Sequence, residues 1–244
     1  EIKLDLDGHI ADLDKPMGVN AKFDIKLPSL RDISFLVPDR DLPDIPFEAS
    51  GRLVNEQTKT RLEQVQMQIG RSKASIDGDL FPDNTFKLAV TAAGPDASRV
   101  GEVVGTSLPV APYKIATAIQ GSPKKFDLTG LSVDLGTSRA TGNLKLGFGD
   151  ATLIHGNVDS RFLNLSHWVP DDQEEQAEAS TPAQKPKKEW MFDDTPVTAL
   201  ADHHLDLDLD VVVDKLDLGN TVLEDIKLEF VLKHRLIRLK PFTF

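Results

Sequence analysis

Apolar and polar residues alternate with period two along most of this chain, the pattern of strands with one dry and one wet face. It runs through Val65-Gln66-Met67-Gln68-Ile69, Leu131-Ser132-Val133-Asp134-Leu135 and Asn143-Leu144-Lys145-Leu146-Gly147-Phe148. It returns in Leu205-Asp206-Leu207-Asp208-Leu209-Asp210-Val211, in Ile226-Lys227-Leu228-Glu229-Phe230 and in Ile237-Arg238-Leu239-Lys240. Turn residues punctuate the runs: Gly70, Pro82-Asp83-Asn84, Gly94-Pro95, Gly121-Ser122-Pro123, Gly136, Gly149-Asp150 and Gly219-Asn220. Short runs joined by tight turns predict antiparallel hairpins. Helical signal is sparse. Asp96 to Val104 predicts a short helix capped by Asp96, with shorter candidates at Ser29 to Val37 and Leu163 to Val169.

The pattern repeats at an offset of 66 positions. Leu42-Pro43-Asp44-Ile45-Pro46-Phe47 matches Leu108-Pro109-Val110-Ala111-Pro112-Tyr113, and Ser72-Lys73-Ala74-Ser75 matches Ser138-Arg139-Ala140-Thr141. Residues 42 to 76 carry eight identities without a gap. A weaker echo sets Phe23-Asp24-Ile25-Lys26-Leu27 over Phe86-Lys87-Leu88-Ala89-Val90. Stacked supersecondary units with one continuous dry surface follow from such a period. The expected organisation is a partial unit at 1–41, units at 42–107 and 108–169, a loop at 170–189, and a strand block at 190–244 that continues the sheet. The loop carries Asp171, Asp172, Glu174, Glu175 and Glu178, then Lys185, Lys187 and Lys188, without apolar periodicity. It reads as disordered between Trp168 and Trp190. Because the chain opens and closes inside alternating runs, it also reads as an excerpt of a longer protein.

Composition narrows the functions. Of 244 residues, 28 are Lys or Arg and 39 are Asp or Glu, a net charge of −11. This argues against nucleic acid as a partner and against an electrostatic hold on anionic headgroups. With no cysteine there is no disulfide, cysteine-ligated metal or thiol nucleophile. His203-His204 beside Asp202 would point to opposite faces of a strand, which is poor metal geometry. Asp206, Asp208 and Asp210 resemble the start of a calcium loop, but Val211 stands where that loop needs glycine. There is no P-loop, no nucleophile elbow and no dinucleotide fingerprint. No enzyme activity, no cofactor and no metal is expected.

The order of motifs carries a family resemblance. Gln64 to Leu80, with its Ile69-Gly70-Arg71-Ser72-Lys73-Ala74-Ser75, and Leu131 to Leu146, with its Leu135-Gly136-Thr137-Ser138-Arg139-Ala140-Thr141-Gly142, resemble the repeating unit of the AsmA family of bacterial envelope proteins. Phe192-Asp193-Asp194-Thr195-Pro196 followed by Leu205 to Val213 and Leu216 to Leu228 is similar to that family's C-terminal region. Arg61-Leu62-Glu63-Gln64 is more polar than the equivalent Asp127-Leu128-Thr129-Gly130, which leaves helix and strand both open there. The resemblance implies a periplasmic segment of a protein held to the inner membrane by an N-terminal helix outside these residues. It implies an all-β fold: a long curled antiparallel sheet of repeated four-strand units, a groove or half-barrel, with few short helices. It also implies passage of phospholipid or another acyl lipid between the inner and outer membranes.

About thirteen strands at ~4.8 Å spacing give a sheet roughly 60 Å long. Its dry face requires either a second layer, as in a filled sandwich, or curvature that leaves a gutter for acyl chains. Glycines within strands, such as Gly130 and Gly142, permit bulges and bending. The candidate lipid-facing residues are Val65, Met67 and Ile69; Leu131, Val133 and Leu135; Leu144, Leu146 and Phe148; Leu207, Leu209 and Val211; and Ile226, Leu228 and Phe230. Gln66, Asp134, Lys145, Asp208 and Lys227 would then face water. The alternative is a structural module that engages envelope proteins through its open sheet ends.

Overall fold

The structure, a computed structural model, describes residues 2–9, 18–36, 43–104, 108–149, 151–166, 205–233 and 236–239. The expected loop at 170–189, its flanking tryptophans, the Phe192 to Pro196 lead-in and the His203-His204 pair lie outside these residues. Among the described residues thirteen strands form one sheet in chain order. They are β1 (Lys3–His9), β2 (Asn20–Leu27), β3 (Phe47–Asn55), β4 (Thr60–Ile69), β5 (Ser72–Leu80), β6 (Phe86–Gly94) and β7 (Tyr113–Ser122). They continue as β8 (Lys125–Leu135), β9 (Ser138–Phe148), β10 (Thr152–Asn164), β11 (Leu205–Asp217), β12 (Val222–Lys233) and β13 (Leu236–Leu239). β1 and β13 stand at opposite edges, so the sheet does not close on itself.

Among the described residues two short helices interrupt the strands, both at one end of the sheet. A 3-10 helix, Leu30–Leu36, follows β2, and α1, Ser98–Val104, follows β6. Asp96 starts α1 as expected: its Oδ1 accepts hydrogen bonds from the Ser98 amide at 3.0 Å and the Ser98 hydroxyl at 2.6 Å. Leu30 and Ala97 are buried, and their amides donate to the carbonyls of Ile45 and Ala111. The helix expected at Leu163 to Val169 is not formed as such, because Leu163 and Asn164 belong to β10. There Leu163 pairs with Leu216 and Asn164 with Asp217, so β11 holds this stretch extended.

The same irregularities recur 66 positions apart. The β3–β4 ladder shifts register between Ser50 and Arg52, and the β7–β8 ladder between Ala116 and Ala118. The β4–β5 ladder shifts between Leu62 and Val65, and the β8–β9 ladder between Leu128 and Leu131. These bulges settle the segment at Arg61 to Gln64 as strand. Gln64 and Gly130 both adopt left-handed backbone, with φ of 50° and 61°. Their amides donate to Asp77 Oδ1 at 2.7 Å and Asn143 Oδ1 at 3.0 Å. Gly70 and Gly136 turn the following hairpins with φ of 57° and 58°, which glycine adopts without a Cβ clash. Their amides donate to Pro46 O and Pro112 O at 2.9 Å and 2.8 Å.

One ladder departs from the antiparallel expectation. β10 and β11 pair in parallel from Thr152↔Leu205 to Asn164↔Asp217, whereas the other eleven ladders are antiparallel. A parallel pair needs a crossover connection, and the long interval between these strands supplies the chain length for one. The alternation of β11 reads the same in either direction, so the sequence pattern leaves the sense of pairing open.

Candidate functional site

Residues paired across a ladder lie on the same face of a sheet. One row of pairs can be followed through twelve strands: Leu4, Ile25, Ala49, Met67, Ala74, Ala92, Ile115, Val133, Ala140, Ser160, Val213 and Ile226. Every member but Ser160 is apolar. Ser160 is buried, and its hydroxyl is satisfied by donating to Arg139 O at 2.7 Å. A second row runs Leu80, Phe86, Gly121, Phe126, Leu146, Ile154, Leu207, Leu232 and Ile237 on the same face.

All five sequence-derived sets fall on this face. Met67 and Val133 stand in the first row with Ile226; Leu146 and Leu207 stand in the second. Leu144 reaches Leu209 and Phe230 through Gly156, and Leu131 reaches Val211 and Leu228 through Gly142 and Val158. Val65, Ile69, Leu135 and Phe148 alternate with these along their strands. The face also contains residues outside those sets, including Phe23, Ile76, Val90, Ile115 and Ile154. The alternation of β7 is weak because Ala116 and Ala118 blunt the contrast in Ile115-Ala116-Thr117-Ala118-Ile119.

Burial shows how the face is enclosed. Val65 and Ile226 are buried, Phe148 is exposed, and the other twelve candidates are half-buried. Among the described residues no large side chain is fully buried. In a filled two-layer core the inward positions would approach zero exposure. Here apolar side chains shield one another across neighbouring strands, while Gln66, Lys145 and Lys227 on the other face are exposed. The dry face is most open at the edge strand β1, where Leu4 and Leu6 are 58% and 68% exposed.

The wet face is organised by ion pairs. Asp79 accepts from Lys59 Nζ at 3.0 Å and Arg61 Nε at 3.3 Å, and these cations, Lys59 foremost, hold its carboxyl below the usual range. Arg61 also lies 3.7 Å from Glu56. Asp134 is likewise lowered by hydrogen bonds from Arg139. Asp134 and Asp208 are half-buried rather than fully exposed, the latter 3.6 Å from His155 Nδ1. A twisted sheet is saddle-shaped, so this face has hollows too. One of about 360 Å³ lies across β2 to β7, lined by Lys26, Glu48, Gln68, Lys73 and Lys114 among others.

Among the described residues, no group of three His, Asp or Glu is placed to hold a metal ion. No helix there is long and apolar enough to cross a membrane. Comparison of the chain with family models, curated proteins and solved structures finds no match.

Proposed function

We propose that the dry face is a path for the acyl chains of phospholipid, and that this chain is a periplasmic segment of a bridge between the inner and outer membranes. The observation that carries the reading is the row from Leu4 to Ile226, apolar through twelve strands but for Ser160 and half-buried at most positions from Ile25 to Ala140. A hydrocarbon tail needs continuous apolar contact and no directed polar partner. The face supplies that contact in several parallel rows. Headgroups would stay in water beyond the rims. The resemblance to the AsmA family supports the location, the anchor in the inner membrane and the phospholipid cargo.

Native mass spectrometry of the purified chain tests the reading directly, with co-purified phospholipid as the expected result. Val133→Asp in the full-length protein is the sharper test. Val133 is half-buried in the middle of the row, so an aspartate there can recruit water and the protein should fold. The charge would obstruct a passing tail, because burying it against hydrocarbon is costly. Expected are an unchanged circular dichroism spectrum, loss of bound lipid and loss of envelope function. Unfolding would favour a closed core, and undiminished lipid in a folded variant would reject the path at that position.

The exposed Leu4 and Leu6 on edge strand β1 favour a second reading, a module that binds envelope proteins by strand addition. Lipid-free protein that captures a partner through β1 would support it instead.

A further inference from the structure

The two ends of the strands differ. Both helices sit at one end, with buried Leu30, Ala97 and Tyr113 nearby. The other end carries the turns between β5 and β6, β7 and β8, and β9 and β10, and it gathers phenylalanines. Phe86 and Phe126 have ring centroids 6.3 Å apart, and Phe126 and Phe148 5.7 Å apart. Phe148 is 44% exposed and Leu80, which pairs with Phe86, is 37% exposed. An open hollow of about 450 Å³ lies between the first two turns. Phe81, Phe86 and Phe126 line it together with Lys87, Lys125 and Asp127.

The charges around this hollow are unevenly matched. Asp83 is engaged by Thr85, whose amide and hydroxyl donate to it at 3.0 Å and 2.6 Å. Asp127 faces Lys145 across the β8–β9 ladder. Lys87 stands opposite Asp79, but that carboxylate already holds Lys59 and Arg61. Lys87, Lys124 and Lys125 are exposed. The Lys124 carbonyl accepts the Phe148 amide at 2.7 Å, which ties this lysine to the end of the aromatic cluster. A chain of net charge −11 thus presents three lysines at the rim where the Phe86–Gly121–Phe126–Leu146 row begins, Lys87 and Lys125 belonging to the wet face and Lys124 to the turn.

We propose that this turn-bearing rim is a lateral port for an acyl lipid with an anionic, phosphate-bearing headgroup. The proposal rests on the acyl-chain reading of the dry face. The tail would lie across Phe86 and Phe126 onto the apolar rows. The phosphate would remain at the rim, against the ammonium groups of Lys87, Lys124 and Lys125. Lysine suits this role as a mobile point charge on a long stem that reaches over apolar surface. Aromatic rings suit the boundary between a wet headgroup and a dry tail.

The test is equilibrium dialysis with monomeric lysophosphatidylglycerol, a monoacylglycerol of the same chain length, and inorganic phosphate. It compares the wild-type chain with Lys87→Glu/Lys124→Glu/Lys125→Glu, and with the same three positions changed to Gln to limit new repulsion. All three side chains are exposed, and circular dichroism checks that the variants fold. Expected for the Glu variant is at least a tenfold loss of lysophosphatidylglycerol binding, with monoacylglycerol binding within twofold. The Gln variant should show a smaller loss, and added salt should weaken the wild type toward it. Equal losses for both lipids, or none for either, would overturn the port while leaving the acyl reading intact. Binding of neither lipid by the wild type would overturn both. Inorganic phosphate that binds as tightly as the lipid and displaces it fully would identify a free-anion site and overturn the port.

Discussion

The stretches β3–β6 and β7–β10 share two bulges, the glycine turn after the second and the bond that caps that bulge at an offset of 66, yet they fill them with different residues. At the second bulge of each stretch, the left-handed position is Gln64 in the first and Gly130 in the second. The bond that satisfies its amide comes from a carboxylate, Asp77, in one and from an amide, Asn143, in the other. The wet face of the first is laced by Arg61, Lys59, Asp79, Glu56 and Glu63, whereas the second pairs Asp127 with Lys145 across the equivalent ladder position and carries its closest ion pair, Arg139 to Asp134, at the opposite end beside Gly136. The comparison teaches that backbone irregularity sets the shape, while the side chain at each irregularity need only tolerate it. A bulge bends its strand and increases local twist. The same two bulges recur at the same interval despite unlike surfaces.

The largest expected effect comes from glycine where one strand presses on another. A Cβ at Gly142 would lie 2.1 Å from Asn157 O, a backbone atom that cannot move aside alone. Gly142→Ala should cost about 3 kcal/mol or more in denaturant unfolding. At Gly70 a Cβ meets nothing within 4 Å, so Gly70→Ala pays only for its left-handed backbone, about 1 kcal/mol. Equal losses at the two sites would break the distinction between close approach and turn.

Exchange at the bulge comes next. Gln64→Gly should gain about 0.5–1 kcal/mol by removing left-handed strain, and Gly130→Gln should lose about as much. Opposite signs in paired urea titrations would sharpen the equivalence of the two bulges. Losses at both would show that Gln64 contributes packing that glycine cannot replace.

The smallest expected effect is on the acid limb of stability. The carboxyls of Asp79 and Asp134 titrate below their ordinary value of 3.8 because their cationic partners favour the charged form. Each therefore stabilises the fold above the unfolded-state pKa, and that contribution is lost as pH falls through the lower folded-state value. Asp79 holds two cations and its side chain is 27% exposed; the Arg139 partner of Asp134 is 67% exposed. In melting curves between pH 6 and pH 2.5, Asp79→Asn should flatten the dependence more than Asp134→Asn.

Much of the fold was legible because strand alternation is local. Leu131 to Leu135 and Leu144 to Phe148 could be placed on one face from spacing alone, and Gly136 marked the turn between them. Leu163 to Val169 misled, because its local pattern says nothing of the thirteen-residue partner β11 that extends the end of β10. The parallel sense of that ladder was equally hidden, since period two is unchanged when a strand is reversed. The phenylalanine cluster was invisible for another reason. Phe86, Phe126 and Phe148 come from three different hairpins and meet only through register.

The parallel ladder also bears on the order in which the sheet can assemble. Most antiparallel ladders join strands across short turns and can zip locally, the regime of low loop-closure cost and fast folding. Thr152 meets Leu205, 53 positions later, and the ladder continues for eleven pairs. Its first contacts must be made before any local gain rewards them. The ten strands before this seam and the three after it are thus separate nucleation blocks joined by one slow closure. A three-stranded block with one open apolar face is near the lower limit of independent stability. The loop-closure cost of the seam leads to the expectation that β11 to β13 add to an edge that β1 to β10 have already built, so that in pulse-labelled hydrogen exchange the amides of β11 should be protected after those of β8 and β9.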